Sequence, residues 1–188
     1  SDTLPTLEEA KKRYAIPFDE FAIFIYHPIT TKIADLKGAI MGVVSALIDS
    51  GRNYLVIYPN NDKGSDIILE EYKRFDNRES FRVFPSMRFE SFLKLLQKSS
   101  FIIGNSSAGV REAEVYGVPA INIGGRQKNR TRSKNVVNVS NNENGILKAI
   151  GEAEETRFSP ISHFGDGDSY KRFYEVITRA ELWDSDVH

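Results

Sequence analysis

The sequence contains no cysteine, which excludes disulfides, thiolate metal sites and cysteine nucleophiles together. Only three histidines occur, so a histidine metal cluster is not expected, and no bound cofactor is implied. No secretory signal pattern opens the chain. With the missing cysteines, this sets a reducing, cytoplasmic setting as the expectation. Charge of neither sign prevails: 25 basic residues face 26 acidic ones, a net charge of -1. No global field draws the chain to nucleic acid or to an acidic membrane surface. The longest apolar stretch, residues 33–48, carries Asp35 and Lys37 and is too short to span a bilayer. A Walker lysine motif, a GxGxxG turn and an acidic cluster after the first strand are all missing, so phosphoryl transfer and dinucleotide redox chemistry lose ground. The first residue is Ser rather than Met, and the expectation is a fragment of a longer protein carrying a tag scar.

What is present fits one ordinary domain spanning residues 1–188, with 40% hydrophobic and 27% charged residues. Thr6 and Glu9 form a capping-box pattern for a short helix ending near Tyr14. Residues 21–26 are a continuous apolar run of strand-forming types. Helical spacing follows over residues 33–49, with Gly51 as its C-terminal stop. Further strands are expected at residues 54–58, 81–84, 101–103, 120–123 and 136–139. Helices are expected at 66–75, 89–98, 110–116 and 146–155, the last opened by Ser140 and Glu143, and a final helix at 170–182. Alternation of this kind forces crossover connections. The expected fold is therefore α/β: a doubly wound, Rossmann-like parallel sheet with helices on both faces.

Open parallel sheets take ligands beyond the carboxyl ends of their strands. The loops there hold His27, Asn60, Met87, the segment Gly104-Asn105-Ser106-Ser107-Ala108-Gly109, and residues 124–132. Small residues between a strand and a helix start let a phosphate approach backbone N–H groups, and Ser106 and Ser107 add hydroxyl donors. Glu112, four residues beyond Ala108, can face the same crevice and suits ribose hydroxyls. The plainer alternative is an N-cap serine amid small residues that pack helix on strand. His27 can donate to a phosphate or protonate a leaving group, or merely cap the next helix. His163 and His188 are read as surface residues. Arg126, directly after Gly124-Gly125, can reach a diphosphate with a forked contact, whereas Lys128 and Lys134 read as solvated. Nucleic-acid binding is disfavoured by the neutral charge and the lack of an aromatic platform.

Residues 101–130, with Gly-Asn-Ser-Ser-Ala-Gly-Val-Arg-Glu followed by Gly-Val-Pro-Ala-Ile-Asn-Ile-Gly-Gly-Arg-Gln, resemble the hydrolysing UDP-N-acetylglucosamine 2-epimerases. The likeness extends to the Tyr26-His27-Pro28 and Tyr58-Pro59-Asn60 loops and to Phe164-Gly165-Asp166-Gly167. It covers the chain but only the C-terminal half of the family's two-domain, glycosyltransferase-B-like fold. The resemblance implies the following roles. His27 lies beside the diphosphate as a catalytic histidine, Asn60 lies in the nucleotide site, and the Met87 backbone reads the uracil edge. Ser106 and Ser107 bind phosphate, Glu112 binds ribose, and Arg126 is the arginine of the Gly-Arg-Gln segment. It also implies UDP or a UDP-sugar as ligand, no cofactor, a homo-oligomeric full-length form, and acid and base carboxylates on an N-terminal domain that this chain lacks. Three alternatives stay open: a sister epimerase for a diacetamido trideoxy sugar nucleotide, the donor half of a glycosyltransferase, and a free-standing nucleotide-binding module.

Overall fold

A computed structural model describes residues 4–127, 133–161, 168–179 and 183. The expectations for Lys128, His163, His188 and residues 164–167 lie outside the described residues, as does the end of the last helix. The sheet has six parallel strands: β1 (Ala22–Ile25), β2 (Tyr54–Ile57), β3 (Phe81–Phe84), β4 (Ile102–Gly104), β5 (Ala120–Ile123) and β6 (Val136–Val139). Their order is β3-β2-β1-β4-β5-β6. The chain builds outward from β1 to one edge, returns to the centre, and builds outward again from β4. The point of reversal lies between β1 and β4.

Side-chain alternation along the strands feeds two cores. In β1, Ala22 and Phe24 enter one, with α2 (Leu36–Asp49), α3 (Ser65–Tyr72) and α6 (Glu143–Glu154) above them. Ile23 and Ile25 enter the other, against α1 (Leu7–Arg13), α4 (Phe89–Lys98) and α5 (Glu112–Val115). All four residues of β1 are buried, which explains why the strand reads as an unbroken apolar run rather than an alternating one. Each large aliphatic side chain buried in this way contributes about 1.5–3 kcal/mol. The final helix, α7 (Ser169–Ile177), buries no residue among those described.

Some boundaries differ from the sequence expectation for physical reasons. A 3-10 helix, Thr30–Asp35, precedes α2, and another, Lys73–Phe75, finishes α3. The cap of α6 is Asn142 rather than Ser140, because the Asn142 side chain accepts from the Gly145 N–H and so starts the helix at Glu143. The largest difference lies after β4. A continuous helix over 110–116 is replaced by a 3-10 turn, Ser107–Gly109, and the four-residue α5.

Gly104 ends β4 with φ +134, and a Cβ there would sit 1.9 Å from the Ile25 carbonyl oxygen on the neighbouring strand. Only glycine fits. Its small size thus serves strand packing at the reversal point.

Candidate functional site

The strand order sets the candidate residues in a row. Met87 follows β3, Asn60 follows β2, His27 follows β1, Ser106 and Ser107 follow β4, and Arg126 follows β5. These five strands are consecutive neighbours. At about 4.8 Å per strand the row is roughly 19 Å long, the scale of an extended nucleoside diphosphate. It runs across the reversal point, where open α/β sheets hold their ligands.

At the centre, β1, β4 and β5 are tied together by Asn105. Its side-chain Oδ1 accepts from the His27 backbone N–H at 2.7 Å, and its Nδ2 donates to the His27 carbonyl at 2.8 Å. Its own carbonyl accepts from Arg126 Nη1 at 3.2 Å and from Gln127 Nε2 at 3.0 Å. Asn105 is fully buried. The sequence places it in a candidate loop without a role of its own. Its main partner lies 78 residues away in the chain, so the only local signal was a polar residue directly after a buried strand.

His27 is half-buried, and its Nδ1 accepts from the Asn60 backbone N–H at 3.1 Å. That bond leaves the proton of the neutral ring on Nε2. The imidazole pKa is lowered to about 4, first by burial and then by the nearby Arg126 charge, with Asp62 opposing. At neutral pH, His27 is therefore a neutral Nε2–H hydrogen-bond donor. Of the roles considered for it, donation to an anion suits this state, and the next helical segment has Ile29 as its N-cap with no side-chain cap bond.

In the turn after β4, Ser106 is an N-cap whose hydroxyl accepts from the Ala108 N–H at 3.3 Å. The hydroxyl keeps its own proton to donate outward. The N–H groups of Ser106 and Ser107, ahead of Ala108, have no partner among the described residues. An α-helix of four residues has little macrodipole, so the attraction for an anion rests on these local donors and on Arg126. Glu112, the first residue of α5, has its Oε2 buried without a hydrogen-bond partner among the described residues. A carboxylate oxygen in that state is ready to accept from a ligand hydroxyl. Tyr116, one turn on, has its phenol pKa raised by burial and by the Glu112 charge.

Met87 is half-buried at the far end of the row, and Asn60 is exposed there. The Arg88 N–H donates to the Tyr14 hydroxyl at 2.8 Å, and Tyr14 packs edge-on against Phe84. Tyr14 thereby holds the Met87 loop from the α1 side, a contact the sequence reading missed. Of the basic residues after β5, Arg126 and Lys134 are described, and Lys134 is exposed as expected of a solvated lysine. Among the described residues no histidine and carboxylate cluster can hold a metal ion, and no helix is long and apolar enough to cross a membrane.

A family model described as UDP-N-acetylglucosamine 2-epimerase matches residues 2–178. The chain belongs to this family. It is 42% identical over 187 residues to the UDP-N-acetylglucosamine 2-epimerase of Neisseria meningitidis serogroup B, covering 97% of this chain and 49% of that protein. It is 27% identical to the UDP-N,N'-diacetylbacillosamine 2-epimerase (hydrolyzing) of Legionella pneumophila, covering 94% of this chain and 48% of that one. This member of the epimerase family thus spans about half the length of the curated relatives it matches. Among solved structures, the UDP-GlcNAc 2-epimerase of Methanocaldococcus jannaschii, in complex with UDP-GlcNAc and UDP, superposes with a TM-score of 0.72 at 16% identity, over 91% of this chain and 48% of that chain. At that identity the likeness shows the fold, a Rossmann-like α/β sheet.

Proposed function

We propose that this chain is the UDP-binding, C-terminal half of a hydrolysing UDP-N-acetylglucosamine 2-epimerase, with residues 1–188 forming one domain. The observation that carries the reading is the convergence of donors at the reversal point: the Ser106–Ser107 turn, the Arg126 guanidinium and the His27 Nε2–H. The relative named as hydrolyzing supports the reaction type.

The chemistry follows from charge. A base removes the proton on sugar carbon 2 while the bond from carbon 1 to the diphosphate oxygen breaks. UDP leaves with that electron pair and a 2-acetamidoglucal forms. Water then adds across the double bond and releases N-acetylmannosamine. The base and acid carboxylates belong to the other half of the enzyme. This half meets the growing negative charge on UDP. Preorganised donors aimed at such a charge contribute about 3 kcal/mol each to barrier lowering. His27 acts here as a donor to the leaving diphosphate. Glu112 takes ribose hydroxyls, Asn60 lines the nucleotide, and the Met87 backbone faces the uracil edge.

Calorimetry of this chain with UDP and UMP tests the reading. UDP is expected to bind weakly and UMP more weakly still, because the converging donors need the second phosphate. Equal binding of the two, or none of UDP, overturns it. No epimerisation is expected from this chain alone. In the full-length enzyme, product analysis with UDP-GlcNAc and with a UDP-diacetamido trideoxy sugar separates the proposed activity from its sister. The higher identity to the meningococcal relative favours UDP-GlcNAc.

A further inference from the structure

Asn105 does something no other residue type of its size can do. It donates to one backbone group of His27 and accepts from the other, at 2.8 and 2.7 Å. Aspartate lacks the donor, and alanine or leucine would leave both His27 groups unpaired beside a buried side chain. The Asn105 N–H is itself bound to the Ile25 carbonyl at 3.1 Å, so the clamp is anchored in the sheet. On the other side its carbonyl receives the guanidinium of Arg126 and the amide of Gln127.

We propose that Asn105 is a positioning residue: its side chain fixes the His27 peptide and its carbonyl fixes Arg126, so the imidazole from β1 and the cation from β5 keep one set separation beside the Ser106–Ser107 turn. The consequence for UDP binding rests on the function proposed above; the positioning itself does not. Asn135 offers a contrast. It is also a buried asparagine clamping backbone, with Nδ2 bonded to the Val118 carbonyl at 3.0 Å, but it precedes β6 at the opposite end of the sheet. The two share burial and an amide donor bonded to backbone, but Asn135 Oδ1 has no partner among the described residues, and the two differ in location.

The test compares Asn105→Ala and Asn105→Asp with Asn135→Ala in the whole 188-residue chain. It reads the His27 imidazole by nitrogen-15 NMR and UDP affinity by calorimetry. In the unsubstituted chain the ring is expected as the Nε2–H form. The charged groups facing it are Arg126 and Asp62, and Asn105→Ala alters neither. In that variant a mixed tautomer, titration at higher pH and a loss of UDP affinity of about tenfold or more report lost position rather than new charge. Asn105→Asp is expected to show the same loss of affinity. Asn135→Ala is expected to lose stability and to change neither readout. A folded Asn105 variant with an unchanged imidazole and unchanged UDP affinity overturns the proposal. A measurement on the unsubstituted chain keeps the test open should the variants not fold: a scalar coupling across the hydrogen bond from the His27 nitrogen to the Asn105 side-chain carbonyl carbon. Its absence also overturns the proposal. If the imidazole responds as expected while the unsubstituted chain binds no UDP, the functional reading fails and the positioning stands.

Discussion

The two ends of the sheet use the same kinds of polar side chain for different ends. At the amino end the groups close on one another. The Tyr54 hydroxyl meets Ser50 Oγ at 2.7 Å, Asn53 Nδ2 donates to the Glu20 carbonyl at 3.1 Å, and Arg157 Nη1 donates to the Ser100 carbonyl at 2.7 Å. Arg52 and Glu154 pair at 2.7 Å. At the carboxyl end, Glu112 Oε2 and Gln127 Oε1 are buried without partners among the described residues, and the Ser106 and Ser107 amides are open to the same extent. Asn135 Oδ1 has no partner among the described residues and lies at the amino end, so the division is strong but not complete. A satisfied polar group contributes to stability, whereas an open one in a shaped crevice is available to a ligand. One end holds the sheet together, and the other is held ready.

That contrast can be broken at four places, in falling order of effect. Gly104→Ala attacks the carboxyl end mechanically. With φ +134 and a Cβ 1.9 Å from the Ile25 oxygen, it is expected to lose more than about 4 kcal/mol, read as a collapse of the urea midpoint or as no folded protein. Arg126→Ala should separate binding from stability. UDP affinity is expected to fall roughly 10- to 100-fold, as for one charge-assisted hydrogen bond. The urea midpoint should move little, because Gln127 still bonds the Asn105 carbonyl.

The third test is pH. His27 titrates near 4 in the folded chain and near 6.5 when unfolded, so between those values the unfolded state binds more protons. Stability should therefore rise with pH through this window and fall as acid is added below about pH 6.5. His27→Asn is expected to flatten that part of a urea-midpoint profile. The smallest effect belongs to the amino end. Arg52→Ala breaks a half-exposed ion pair and is expected to change stability by less than about 1 kcal/mol, with UDP affinity unchanged in calorimetry.

The fold was legible because its signals are local. Alternating strands and helices, the Thr6 and Glu9 cap, and Gly51 with φ +65 at the end of α2 all depend on near neighbours in the chain. The row of strand exits was legible too, since five of the chosen loops follow five adjacent strands. What escaped is non-local. Nothing in residues 104–116 announces a 3-10 turn with a four-residue helix in place of a longer one. The Tyr14 hydroxyl on Arg88 and the Asn105 amide on His27 join residues 74 and 78 positions apart. The proton location on His27 follows from a backbone N–H of Asn60, which no side-chain pattern encodes. The segment 128–132, where three further cations of the basic run lie, falls outside the described residues.

The reversal between β1 and β4 has a consequence in time. His27 follows β1, but its clamp and the donors beside it come from the exits of β4 and β5, with Asn105 78 positions further along the chain. Contacts this distant in sequence form slowly. During refolding from urea, helical signal should return first, and the capacity to capture a diphosphate should return only when β4 and β5 have docked along β1.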